Sequence, residues 1–526
     1  MRALPDIVAD VASTPFMVGV ELVTTRGSSE QPDSRKIDAL ADALAEHGRT
    51  DWLSITDNAG GTPMMAPAFL ARKIQQRDTN VVVHLTCKDR NRNALEATAW
   101  QYDADGLNNI LCLTGDYPVT GFQGTAAPVF DLDSTTLINL LSTMNAGMEV
   151  AGRKKGTTKT LGTTGFYLGC AASPFKTNEA ELIFQYLTRE LTRHHGAQFI
   201  IPPLGYDMRK SHELIVYVER HNLDVPVFGN IFVLSKGVAN AFHKKRFPGC
   251  QVSEDLLKLC ARHATGPDKG KAFFLEFAAK QYACMKGLGY RGAYFGGINT
   301  AEDLDRILSV ADSFAPDDWR VYAGDLIFPM TPDFYLFAED ANTGLADPER
   351  ESDELIAARK DTAVPEGVGR PAISRLVHDA VFEEDGCLHR PMQKFFESVT
   401  TKHPKLNAIV EKQERVFKGL LYGCRDCGDC ALAECQFMCP GANCRKNQRN
   451  GPCGGSRGPL CESAEVPCLW YRAYHRAKQA GMLDDFLRRD LVTTDHSLSG
   501  TSSWANFFLG RDHNACGNTA KSENES

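Results

Sequence analysis

Between residues 16 and 312 the chain alternates short runs rich in Val, Ile, Leu and Phe with longer amphipathic stretches. Continuous apolar runs of four to eight residues predict buried strands, and apolar positions recurring every three or four residues predict helices. Strands are expected at 16–23, 52–56, 81–86, 110–114, 165–170, 198–202, 225–231 and 291–295. Helices are expected between them at 36–47, 66–76, 92–103, 135–149, 179–194, 210–221 and 303–312, with two more at 253–262 and 271–286. Eight strands, each followed by a helix, predict an α/β fold of the (β/α)₈ TIM-barrel kind, with a doubly wound open sheet as the alternative. In a barrel the C-terminal strand ends line the active site. That rule selects Glu21, Thr56-Asp57-Asn58, His84-Leu85-Thr86 and Thr114-Gly115-Asp116.

Past residue 320 the alternation stops. Residues 340–370 are charged and rich in Gly and Pro, the composition of a linker or surface arm. Helical pattern returns at 391–419 and again at 469–489, on either side of a cysteine-dense stretch. The expected organisation is a barrel over 1–320, a linker and helical extension over 321–420, a small Cys-rich metal-binding domain over 421–505, and a polar, disordered tail over 506–526. A chain of 526 residues has room for these parts.

The net charge of −8 gives no global reason to expect nucleic acid or an anionic membrane as partner. The first residues lack the apolar run of a secretory signal, and no stretch is apolar for the ~18 residues a membrane span needs. The expected location is cytoplasmic.

Nine of the seventeen cysteines lie between Cys424 and Cys468. One dense cluster in a long chain indicates metal more than a disulfide scaffold. The order is Cys424-x₂-Cys427-x₂-Cys430-x₄-Cys435-x₃-Cys439-Pro440-x₃-Cys444, then Cys453, Cys461 and Cys468. Repeated C-x₂-C puts thiolates on one tight turn, suiting zinc in one or two Cys₄ sites or an iron–sulfur cluster. Two other motifs fail their context. Gly287-Leu-Gly289-Tyr-Arg-Gly292 spells a dinucleotide fingerprint but has a helix before it and a strand after it, the reverse of what phosphate binding needs. Gly266-Pro-Asp-Lys-Gly270-Lys271 is one residue short of a phosphate loop.

The strand-end residues sit in longer strings. Phe16-Met-Val-Gly-Val-Glu21, Leu53-Ser-Ile-Thr56-Asp-Asn, Val83-His84-Leu-Thr-Cys87 and Ile110-Leu-Cys-Leu-Thr-Gly115-Asp116-Tyr-Pro118 resemble successive strand ends of methylenetetrahydrofolate reductases. Pro226–Ser235 and Asn299-Thr-Ala-Glu302 continue the likeness, which spans about residues 15–315. Asn450-Gly-Pro-Cys453-Gly-Gly455 with the preceding cysteines resembles the C-terminal domain of some members of the same family.

The resemblance implies an enzyme interconverting 5,10-methylene- and 5-methyltetrahydrofolate, with NADH or NADPH as hydride partner and FAD or FMN as relay. It implies catalytic roles for Glu21, as proton donor, and Asp116, which orients the folate. It places Thr56, His84, Thr114, Gly115 and Ser173 at the cofactor, and Tyr206 and Asn240 with Glu21 and Asp116 at the substrate. A homo-oligomer or a redox partner protein is the expected assembly. Four positions depart from the family pattern: Thr114 and Thr300 replace arginines, Ser173 a histidine and Pro203 a glutamine. These changes leave room for direct hydride transfer without flavin, for a folate-binding electron-transfer module, and for a folate-dependent methyltransferase.

Overall fold

The structure is a computed structural model that describes residues 2–187, 196–244, 249–363, 365–369 and 371–514. Two compact units divide the chain, Met1–Lys360 and Asp361–Ser526.

The first unit is built on eight parallel strands. They are β1 (Met17–Leu22), β2 (Trp52–Ile55), β3 (Asn80–Thr86), β4 (Asn109–Leu113), β5 (Tyr167–Cys170), β6 (Phe199–Ile200), β7 (Phe228–Phe232) and β8 (Gly292–Gly296). Each of the eight overlaps a predicted strand. Neighbours pair in the order β6-β5-β4-β3-β2-β1-β8-β7, and a parallel bridge from Ile200 to Val227 joins the two ends. The sheet is therefore a closed (β/α)₈ barrel, and the open-sheet alternative is excluded. The G-x-G-x-x-G string is the turn from helix Lys271–Gly287 into β8.

Period-two alternation separates two cores. Val18, Val20 and Leu22 face outward into the layer shared with the surrounding helices. Met17, Trp52, Val82, Leu111, Tyr167, Phe199, Phe228 and Tyr294 face inward and fill the barrel. An N-terminal helix, Leu4–Ala9, packs Leu4 and Val8 against this inner core. Arg291 fixes it by donating to the Ile7 and Val8 carbonyls, both at 2.8 Å. With one end so covered, the C-terminal strand ends form the open mouth.

The segment expected to be a linker is ordered structure in its first part. Phe337–Glu339 and Ala346–Glu351 pair antiparallel, and helix Asp353–Lys360 follows. Buried polar groups on helix Met208–Arg220 clamp this arm. Glu213 accepts from Leu336 N–H (2.6 Å) and Phe337 N–H (2.8 Å), and Lys210 pairs with Asp333 at 3.1 Å.

In the second unit, helices Ala372–Val381, His389–Lys402 and Pro404–Tyr422 precede the cysteines. Gly423, at φ +63, ends the last of them. The predicted helix over 469–489 is two helices, Leu469–Gln479 and Leu483–Arg488, broken at Gly481 with φ +69. The expected tail is placed as far as residue 514. Helix Ser503–Phe508 packs Phe508 on Phe396. Residues 515–526 lie outside the described part of the chain, as do 188–194 of the predicted helix over 179–194.

Candidate active site and cysteine centre

Glu21 ends the inward row of β1 and stands in register with Ser54 of β2. One layer below, Gly19 is level with both Trp52 and Tyr294. A Cβ on Gly19 would lie 2.2 Å from the Trp52 indole, so only glycine leaves space for these two rings. They stack across it at 5.3 Å and 10°. The Tyr294 hydroxyl then rises to 2.8 Å from Glu21 Oε2 and 3.4 Å from His84 Nε2. His84 Nε2 is also 2.8 Å from Ser54 Oγ. Burial raises the Glu21 pKa above the ordinary carboxylate value, opposed only by the Tyr294 hydrogen bond. Burial lowers His84 to about 4, so it is neutral at pH 7.

The other strand ends form a ring of fixed polar groups. Asp57 is clamped by both Arg90 nitrogens (2.6 and 3.3 Å) and accepts from Thr86 N–H and Oγ–H. Asn58 donates to Asp89 at 2.9 Å, and the fully buried Lys88 donates to the same carboxylate at 2.7 Å. Asp116 accepts from Gly60 N–H at 2.8 Å, which ties the loops after β2 and β4 together. Gly115 has φ +88, and a Cβ there would meet Lys88 Cδ at 2.9 Å and Thr86 Cβ at 3.0 Å. Thr56 carries a buried hydroxyl with no hydrogen-bond partner in the protein.

In the second unit the cysteines separate into groups. Cys424, Cys427, Cys430 and Cys439 line one cavity. Lys418, itself buried, donates to Cys430 Sγ at 3.2 Å, and the Asp426 N–H donates to Cys424 Sγ at 3.4 Å. Cys444, Cys453, Cys461 and Cys468 form a second group whose members interact electrostatically with one another, and the buried Lys446–Glu462 pair acts on Cys453. Burial pushes the Cys444 thiol up to about 12, with Cys453 and Cys461 adding to the shift. Burial likewise raises Cys468, and Cys453 and Cys444 again add. Cys435 is fully buried. A third cluster escaped the sequence reading: Asp429, Asp512 and His513 bring ligand atoms within 4.8 Å of one another. His513 hydrogen-bonds Asp429 and, at 3.2 Å, Glu434. Against the opposing effect of burial, those bonds push its pKa up to about 10.

A family model described as Methylenetetrahydrofolate reductase matches residues 30–312. The chain belongs to the methylenetetrahydrofolate reductase family. A second model, described as Methylene-tetrahydrofolate reductase C terminal, matches residues 403–496. Comparison with curated proteins yields no match. Among solved structures, a Clostridium thermocellum protein described as binding two copies of 5-methyl-5,6,7,8-tetrahydrofolic acid is 12% identical, with 58% of this chain and 97% of that one covered and a TM-score of 0.35. Tryptophan synthase from M. tuberculosis is 13% identical over 59% and 94%, with a TM-score of 0.32.

Within this reductase-family barrel, Glu21 and His84 meet through Tyr294, while Thr56, Thr114, Gly115 and Asp116 occupy the adjoining strand ends. Thr114 Oγ accepts from Ser134 N–H at 3.4 Å. Ser173 is buried in the loop after β5, its N–H donating to Gln185 at 3.0 Å. Tyr206 is not part of the Glu21 cluster. It packs in the outer core near Phe277 and donates to the Phe232 carbonyl at 3.5 Å. Its neighbour Asp207 caps helix Met208–Arg220. Asn240 is half-buried on helix Lys236–His243, after β7. Sequence reasoning missed Ser54, Lys88 and Tyr294. Ser54 is the one polar residue in the strand WLSI, a signal that was readable.

Proposed function

We propose that this protein interconverts 5,10-methylene- and 5-methyltetrahydrofolate, exchanging hydride with NADH or NADPH. The observation that carries the reading is Glu21: a carboxyl of raised pKa, held by a tyrosine at the mouth of a reductase-family barrel. Burial favours the protonated carboxylic acid, which can donate its proton. In the reducing direction Glu21 protonates a nitrogen of the five-membered ring. The carbon–nitrogen bond then breaks with its electron pair going to that nitrogen, and an iminium forms at the other. Hydride added to the methylene carbon yields the methyl group, and the nicotinamide leaves oxidised. In the reverse direction the Glu21 carboxylate recovers the proton. Asp116, its direction set by Gly60, orients the folate ring.

The mouth also suits a flavin. The unpartnered Thr56 hydroxyl offers a hydrogen bond, and the bare Gly115 backbone permits close approach. Thr56, His84, Thr114, Gly115 and Ser173 would hold it. A bound flavin supplies the relay of hydride between nicotinamide and folate.

In the second unit, Cys424, Cys427, Cys430 and Cys439, which line one cavity, would ligate one metal centre, and Cys444, Cys453, Cys461 and Cys468 another. The thiol pKa values of Cys424, Cys430, Cys444, Cys453 and Cys468 are raised by burial, so metal must displace their protons. Zinc would cross-link the fold, and an iron–sulfur cluster would also carry electrons.

The test is nicotinamide oxidation by anaerobically purified protein, dependent on added 5,10-methylenetetrahydrofolate, with flavin, iron and zinc quantified on the same sample. Turnover supports the reading, and stoichiometric flavin assigns the relay. No turnover in either direction, with NADH or NADPH and added FAD or FMN, overturns the reading.

A further inference from the structure

We propose that Tyr294 is a positioning residue whose hydroxyl proton reverses direction with the protonation state of Glu21, turning to His84 when Glu21 holds a proton. This rests on the reading of Glu21 as proton donor.

The geometry offers Tyr294 three partners, Glu21, His84 and Ser54, and no freedom to leave them. Its ring is 2% exposed and stacked on Trp52 over Gly19. Its hydroxyl lies between Glu21 Oε2 at 2.8 Å and His84 Nε2 at 3.4 Å. A phenol has one proton to give and can accept another. With the His84 proton on Nδ1 and Glu21 ionised, Tyr294 donates to Glu21 and Ser54 Oγ–H donates to His84 Nε2 at 2.8 Å. When Glu21 carries the proton on Oε2, the carboxyl donates to the phenol oxygen, the phenol O–H takes the single acceptor site of His84 Nε2, and the displaced Ser54 Oγ–H turns to the phenol oxygen. Both states are hydrogen-bonded without movement of a heavy atom, so little reorganisation accompanies proton transfer.

The titratable and charged groups that bear on this set are Glu21 on β1, Asp57 after β2, His84 on β3 and Tyr294 on β8. His84 is neutral at working pH, as an acceptor must be, and Asp57 is neutralised by Arg90. The arrangement accounts for a tyrosine in the inner core with its polar end upward. A phenylalanine would fill the same space.

The experiment is the infrared titration of the Glu21 carboxyl in full-length protein, assigned by difference from Glu21→Gln, in wild type, Tyr294→Phe and Ser54→Ala. A charge-assisted hydrogen bond is worth about one to two pH units. Tyr294→Phe is expected to raise the Glu21 midpoint by that amount. The alkaline limb of kcat should move up with it, while kcat falls about 10-fold and KM stays within about twofold. Ser54→Ala leaves the tyrosine the sole donor to His84, and is expected to raise the midpoint by less. An unchanged midpoint in Tyr294→Phe overturns the proposal, and an unchanged midpoint in Ser54→Ala overturns the reversal toward His84. The infrared shifts need no turnover. If they occur in a protein inert toward folate, the proton arrangement stands and the reductase reading falls.

Discussion

The ammonium of Lys418 lies 3.2 Å from the sulfur of Cys430 and 3.3 Å from the Glu414 carboxylate, with both charged side chains about 5% exposed. A cation in that position does two things. It balances the buried Glu414, which also accepts from Ser502 Oγ–H, Ser503 N–H and Oγ–H, and Trp504 N–H. It also stabilises Cys430 as a thiolate, the form that binds metal.

Lys418→Met is therefore expected to cost stability in the second unit. Removing one partner of a buried pair costs ~3–5 kcal/mol, and the four remaining donors to Glu414 place this case near the lower end. Urea unfolding followed by tryptophan fluorescence checks it, with metal content expected to fall in parallel. A midpoint and metal content equal to wild type would show that the contact contributes nothing.

Glu213 makes stability in the first unit depend on pH. Burial raises its pKa to about 7, against the pull of Lys210 and the Leu336 and Phe337 N–H groups. Because the folded value lies above the unfolded value of 4.5, the folded state holds this proton more tightly. The contribution is complete below pH ~4.5 and is lost as pH rises through ~7. A rise from 4.5 to about 7 corresponds to on the order of 3 kcal/mol. Glu213→Gln keeps an oxygen for the two N–H groups and removes the titration. Its thermal midpoint should fall less than that of wild type between pH 5 and pH 8, and parallel curves would refute the linkage.

Those residues also show what the sequence could and could not reveal. The eight strands were legible because strands buried on both faces read as continuous apolar runs. Glu21, Thr56, His84 and Asp116 were legible as polar groups at the ends of such runs. The arm around Glu213 was not, because its clamps are buried charges, which look like surface until their partners are known. Asp512 and His513 looked like tail for the same reason, since Asp429 and Glu434 lie about eighty residues earlier. Tyr206 stands beside a strand end but faces the outer core. Tyr294 faces inward, and only strand register shows it beneath Glu21.

Gly115→Ala tests how closely a ligand must approach the mouth. The substitution places a Cβ against Lys88 and Thr86 and holds alanine at φ +88. The combined strain is expected to be about 1–3 kcal/mol. Relief by loop displacement would move Asp116 with it, so folate KM should rise several-fold. A variant with wild-type thermal midpoint and KM would show that the loop absorbs the methyl group.

Glu21→Gln separates chemistry from binding. The amide keeps the size of the side chain and can still accept from Tyr294, but it has no proton to give a leaving nitrogen. Folate turnover should fall by at least about 10²-fold, the scale of a lost general acid, while nicotinamide affinity measured by fluorescence titration stays within about twofold. In wild type the rate in the reducing direction should be flat at low pH and fall as pH rises through the raised Glu21 pKa, because only the protonated acid donates. The same limb should be absent from the residual rate of Glu21→Gln. Retained turnover with an unchanged pH profile would assign the proton to another group, and Asp116 would be the next residue to replace.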